Sequence, residues 1–239
     1  MRAQFQGLLL TLAFSFAMAL SLAVALICIS YLRDEFATPP SESEAPTESH
    51  SQPESDELSD HVTEQESLSA SPDGLRFASN GDGTCRLVSL GGSTDACVVI
   101  PEFSPTGDRV TTVDARAFYG SATVTAVQIP SSVRSIGELA FANCKNLMYI
   151  SVSPQNAAYC DVDGVLYTSD ERTLIQYPPK RAGEVVVIRG VTVEICDMAF
   201  YHCVSLTRVV FTGTAEQWEH IRIGTKNYSL TAAAKTFGE

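Results

Sequence analysis

The sequence predicts a mainly β fold with short helices, assembled as a stacked solenoid. Two observations carry that prediction. First, one pattern is written three times, as VTTVDARAFYGSATVTAVQI from 110, VRSIGELAFANCKNLMYISV from 133 and TVEICDMAFYHCVSLTRVVF from 192. Val113, Ile136 and Ile195 fall into step, as do Phe118, Phe141 and Phe200, and Val124, Leu147 and Leu206. Second, each copy ends on a strand-like alternation: Val127 and Ile129, Ile150 and Val152, Val209 and Phe211. Alternate residues of a strand share a face. A unit with one apolar face cannot bury it alone, but stacked units cover each other.

Taken from the N-terminus, the first element is apolar. No charged residue occurs between Ala3 and Leu32, a run longer than the roughly 20 residues a bilayer-spanning helix needs. That length favours a retained signal anchor over 1–33. Ala17, Ala19, Ala23 and Ala25 leave open a cleaved signal and a secreted product. Arg2 precedes the run, whereas Arg33 is answered at once by Asp34 and Glu35. The positive-inside rule therefore keeps the N-terminus cytoplasmic and exports the rest.

Residues 34–73 are rich in Ser, Glu, Pro, Thr and Asp, and no basic residue stands between Arg33 and Arg76. Such a tract cannot bury enough apolar surface to offset chain entropy, so it reads as a disordered linker. As a coil of about forty residues it spans roughly 35 Å or more. It holds most of the formal net charge of −12. The remainder is close to neutral and has no basic patch for nucleic acid.

Residues 74–239 form the folded head, long enough for one real core. Phe118 and Phe141 are 23 residues apart and Phe141 and Phe200 are 59 apart, so the stack is interrupted between the last two copies. A period in the twenties belongs to solenoids. The three Phe residues are expected to stack as an aromatic ladder. Ser121, Cys144 and Cys203, three places on, are expected at tight turns. Asp163-Gly164 supplies a tight turn between two short apolar runs, and Gly91-Gly92 another. Thr214 and Gln217 have capping-box spacing for a helix through Trp218 and Ile221, placed to cover the last unit.

The stretch IPSSVRSIGELAFANCKNLMYISV resembles the BspA-type leucine-rich repeat, and the flanks resemble that family too. LRFASNGDGTCRLVSLGGSTDACVVIP is similar to its opening hairpin, VDGVLYTSDERTLIQYPP to its inserted hairpin and FTGTAEQWEHIRIGTKN to its closing segment. The resemblance covers about 75–230. It departs at Cys196, which stands where Gly137 follows Ile136, and in the first copy, which lacks both that Gly and the Cys. It implies a leucine-rich-repeat β-solenoid with a hairpin insert, and a surface role in adhesion or matrix-protein binding.

Little in the sequence points to chemistry. Cys144 and Cys203 share a repeat position and read as small buried residues. Cys85 and Cys97 could face each other across the first hairpin as a disulfide. Cys196, His202 and Cys203 fit no paired-Cys zinc spacing. In NGDGT and DVDG, taking Asp82 or Asp163 as the fifth position of a calcium loop puts Ala78 or Tyr159 at the first, where an acid is required, so these are turns. No nucleophile elbow, HExxH or phosphate loop occurs. No catalytic residue, metal or cofactor is therefore assigned.

The leading expectation is a non-catalytic, membrane-anchored extracellular module that binds a protein ligand, host or matrix, through the outward strand positions Ala126, Gln128, Tyr149, Ser151, Arg208 and Val210. A scaffold docking an envelope or membrane partner of the same cell is the alternative, and a hydrolase on a β-solenoid a remote one. Asn227-Tyr228-Ser229 is a glycosylation sequon that matters only in a eukaryotic secretory pathway.

Overall fold

The computed structural model describes residues 68–71 and 73–238. The anchor and nearly all of the linker expected from the sequence lie outside them. Among the described residues no helix is long and apolar enough to cross a membrane.

The head is a mainly β solenoid of about six coils with two short helices. Each coil contributes one strand to each of two walls. The first wall opens with an antiparallel hairpin, β1 (Leu68–Ala70) and β2 (Arg76–Ser79), which leads into β3 (Thr84–Ser89). The turn between β2 and β3 is NGDGT, where Asp82 Oδ1 accepts from Thr84 N at 2.9 Å. The Thr84 hydroxyl, which donates to the same oxygen, and then that backbone hydrogen bond hold the Asp82 carboxyl below its ordinary pKa. Gly91-Gly92 does not close a hairpin: it lies where the chain leaves β3 for β4 (Cys97–Val99) in the other wall. Cys85 and Cys97 are consequently in different sheets. Cys85 is a free buried thiol, so the bridge considered from the sequence is not formed.

Parallel pairing then builds both walls. In the first, β3 pairs with β5 (Arg109–Val113) and β5 with β7 (Ser135–Ile136). In the second, β4 pairs with β6 (Ala126–Ile129) and β6 with β8 (Tyr149–Val152). The hairpin insert, β9 (Tyr159–Val162) and β10 (Val165–Thr168), follows. Its turn residues Asp163 and Gly164 have φ of 52° and 80°, the left-handed pair that a two-residue hairpin turn requires.

Beyond the insert the walls resume. The first continues as β11 (Thr173–Gln176), β13 (Glu194–Ile195) and β15 (Arg222–Ile223). The second continues as β12 (Val185–Ile188), β14 (Arg208–Phe211) and β16 (Ala234–Phe237).

Two apolar clusters fill the interior, and this changes the predicted ladder. Phe118 lies 5.0 Å from Phe141, centroid to centroid. Phe200 stacks instead on Tyr177, at 4.9 Å. Phe118 and Phe141 belong to the first cluster, Tyr177 and Phe200 to the second. Tyr177 is thus the aromatic of the coil that the sequence pattern had left irregular. Cys144 donates through Sγ to Phe118 O at 3.0 Å, and burial pushes its thiol up to about 11. Cys203 faces Tyr177 O in the same way and is pushed up to about 12.

The corners are equally regular. Arg116, Leu139 and Met198, two residues before each Phe, have φ of 61°, 58° and 57°. Two residues after each Phe stand Gly120, Asn143 and His202, at 74°, 61° and 63°. His202 therefore occupies a left-handed turn position, one where His is tolerated better than most residues.

The C-terminal end is closed by α1 (Ala215–Glu219), α2 (Tyr228–Ala232) and β16. The capping box of α1 forms as expected, Gln217 N donating to Thr214 Oγ1 and Thr214 N to Gln217 Oε1. The helix stops at Glu219 and delivers a buried Trp218 against Phe211 and Phe237. On β16 the position level with core residue Val209 is Lys235, whose ammonium donates to Thr231 O and Ala233 O, both at 2.9 Å. A lysine aimed inward on an edge strand discourages further strand addition.

Candidate protein-binding surface

The outward positions form short rows fixed by strand register. On the first half of the second wall, Ala126 stands opposite Tyr149, and Gln128 stands between Val99 and Ser151. On the second half, Val185, Arg208 and Ala234 form one row, and Val187, Val210 and Thr236 the next. The six residues picked from the sequence therefore divide between two separate three-stranded sheets.

Their exposure differs as well. Ala126 and Gln128 are buried, at 3% and 4%. Tyr149, Ser151 and Val210 are half-buried, and Arg208 is exposed. Ala126 lies directly opposite the Tyr149 ring, and side chains so placed touch. Gln128 Oε1 and Ser151 Oγ are enclosed without a hydrogen-bond partner among the described residues. Ala126 and Gln128 are thus withdrawn from the face on which they were expected.

The hairpin explains the position of Tyr149. Its turn packs Gly164 onto the Tyr149 ring, where a Cβ would collide with Cδ2 and Cε2. Gly164 O accepts from Ile150 N at 3.1 Å, and Asp161 Oδ1 accepts from Val152 N at 2.8 Å. The insert thereby clamps the edge of β8 and ends the first half of the wall. Burial raises the Asp161 carboxyl above its ordinary pKa, against the opposing effect of the Val152 hydrogen bond.

That shift has a testable sign. A folded pKa above the unfolded one gives stability at low pH that is lost as pH rises through the folded value. Asp161→Asn keeps an oxygen for Val152 N and removes the titration. Urea midpoints should match for variant and parent near pH 4 and favour the variant increasingly toward pH 7. A constant difference across that range would refute the assignment.

The second half of the wall offers more open apolar surface than the sequence reading recognised. Val187 is 54% exposed, two residues along β12 from Val185 and opposite Val210 of β14. In the run VVVI only alternate residues, Val186 and Ile188, face the core. The His202 ring lies tilted against Tyr201, centroids 4.1 Å apart, while Cys203 points inward. Asn227 is buried and engaged: Oδ1 accepts from Phe200 N at 2.9 Å, and Nδ2 donates to Cys196 O and Gly224 O at 3.0 and 2.8 Å. The sequon asparagine is a structural tie between coils.

Parallel coils of about 23 residues, an aromatic rung in four of them and two β walls define a leucine-rich-repeat solenoid. Residues 100–161 match the family described as BspA type leucine rich repeat region. Solved structures are similar to this chain. One is a leucine rich cell surface protein from Faecalibacterium prausnitzii A2-165, at 26% identity and a TM-score of 0.46, matched over 62% of this chain and 42% of that one. Another is a leucine-rich repeat protein from Bacteroides ovatus, at 25% identity and a TM-score of 0.37, over 63% and 41%. A third, from Bacteroides capillosus, has 22% identity and a TM-score of 0.36, over 73% and 100%. The chain thus spans less than half of the first two structures. No curated protein matches it.

Proposed function

We propose that this chain is a non-catalytic, membrane-anchored module that binds a protein ligand outside the cell. The observation that carries the reading is the outer face of β12, β14 and β16, where exposed Val187 and half-buried Val185 and Val210 flank exposed Arg208. A rigid sheet with apolar side chains around one arginine has the composition of a protein contact. Half-buried Tyr149 extends the surface on the other side of the hairpin. The Ala3–Leu32 run supports display beyond a membrane. Leucine-rich-repeat proteins are typically binding modules rather than catalysts.

Protease shaving of intact cells tests the topology. The acidic tract should be cut first, releasing an intact head. A head protected until the membrane is broken would favour docking to a partner of the same cell. With the head outside, Val187→Thr together with Arg208→Glu should weaken binding to a ligand captured from matrix proteins by about tenfold or more, with an unchanged urea midpoint. Undiminished binding would remove this face from consideration.

A further inference from the structure

We infer that a cleft on the opposite wall, where one coil lacks a corner, binds a short extended peptide carrying a lysine or arginine side chain. This site is distinct from the outward face proposed above and does not depend on it.

The cleft has a specific origin. Val113 pairs with Ile136 and Leu174 pairs with Ile195, so these residues mark one level in successive coils. Five residues separate Val113 from Phe118, Ile136 from Phe141, and Ile195 from Phe200, but only three separate Leu174 from Tyr177. Ile175 and Gln176 replace a four-residue corner. The corners on either side, Gly137–Ala140 and Cys196–Ala199, therefore face each other across a gap of about 440 Å³, a volume within the usual range of ligand sites. The missing corner also accounts for Cys196. Its counterpart Gly137 lies so close to the backbone of Ala115 that a Cβ would collide there, whereas the side chain of Cys196 borders the cleft.

The gap leaves one rung of hydrogen bonds unmade. Where corners stack normally, Arg116 N donates to Glu138 O at 3.1 Å and Met198 N to Thr225 O at 2.8 Å. The corresponding groups across the gap are Leu139 N and Asp197 O, and neither makes a hydrogen bond among the described residues. A donor on one lip and an acceptor on the other match the C=O and N–H of an added peptide segment. The floor is already braced. Gln176 Nε2 donates to Tyr177 O and Ala199 O, both at 3.0 Å, and Tyr159 Oη accepts from Ile136 N at 2.9 Å.

Charge selects the side chain. Glu138 and Asp197 are exposed on opposite lips, and neither has an ion-pair partner among the described residues, although Asp197 Oδ1 accepts from Thr225 N of the next coil at 2.5 Å. The cation lining the cleft, Arg222, is already paired with Glu194. A cationic side chain entering between the lips meets the Glu138 carboxylate and the Asp197 oxygen that Thr225 leaves free, while half-buried Ile136 and Ile175 take its aliphatic stem.

The test titrates the isotope-labelled full-length chain with the blocked tripeptide acetyl-Ala-Lys-Ala-amide and follows backbone amides by NMR. Saturable shifts are expected at Leu139, Asp197 and Met198, with Val187 and Arg208 on the outward face unmoved. The blocked Ala-Glu-Ala peptide should bind about tenfold more weakly. Glu138→Gln with Asp197→Asn should erase that preference, and Cys196→Leu, which fills the cleft, should abolish the shifts while the fold persists. Butylamine supplies the cation without a backbone; if it reproduces the full response, the site holds a simple cation and the peptide proposal fails. It fails equally if Leu139 does not respond, or if the shifts survive in the Cys196→Leu chain.

Discussion

Phe200→Ala is expected to destabilise the head by about 3–5 kcal/mol, the usual cost of emptying a buried phenylalanine site. Phe200 is fully buried, stacks on Tyr177 and belongs to the second apolar cluster. Its neighbours cannot close over the hole, because the rungs above and below are fixed by backbone ladders. The damage should be local. Phe118 and Phe141 pack in the other cluster, and stacked coils interact chiefly with their nearest neighbours. Hydrogen exchange should therefore show protection lost first in β11 to β16, with β3 to β8 retained at low urea. Uniform loss across both halves would show that the interruption does not divide the stack energetically. A loss under about 1 kcal/mol would refute the stacked-core assignment itself.

Asn156→Ala should cost about 3 kcal/mol, because it strands several buried backbone groups at once. Asn156 Nδ2 donates to Pro130 O at 2.7 Å and to Val133 O at 3.0 Å. Its Oδ1 accepts from Ala158 N and Tyr159 N, both at 2.9 Å. One amide thus ties the loop after β8 to the coil beneath and fixes the entry of the hairpin insert. Asn156→Asp should be no remedy, since it keeps the acceptor but sets a carboxylate against two carbonyls. Equilibrium urea unfolding of both variants checks this; an Asp variant as stable as the parent would show that the donor half of the amide is dispensable. Asn227 bridges Phe200 N, Cys196 O and Gly224 O in the last coil, so Asn227→Ala should behave alike.

The parts of the fold legible in the sequence were those that repeat. Phe118 and Phe141 announced the rung, Val127 and Ile129 the strand, and Thr214 with Gln217 the helix cap. Tyr177 escaped because two changes hide it: an inserted hairpin moves it away from Phe141, and a shortened corner shifts it relative to Leu174. Its spacing to Phe200 is still 23 residues, so searching backwards from Phe200 would have found it. Strand alternation set Ala126 and Gln128 apart from Val127 and Ile129 on β6. It carried no information about enclosure, which depends on what packs from elsewhere in the chain. Asn227 shows the same limit from the other direction. A three-residue motif describes a reactive asparagine, whereas burial and three hydrogen bonds make it a structural one.

The shortened corner has an evolutionary consequence. A recess usually demands an added loop or a new element, each with its own folding problem. Here a subtraction opens it beside an existing insert: two residues are left out of one corner, and Tyr159 and Thr168 of the hairpin complete the lining. Length variation at a single corner can thus open or close a recess without disturbing the neighbouring coils. In arrays of this kind, the positions of small deletions belong beside surface composition as heritable variables of specificity.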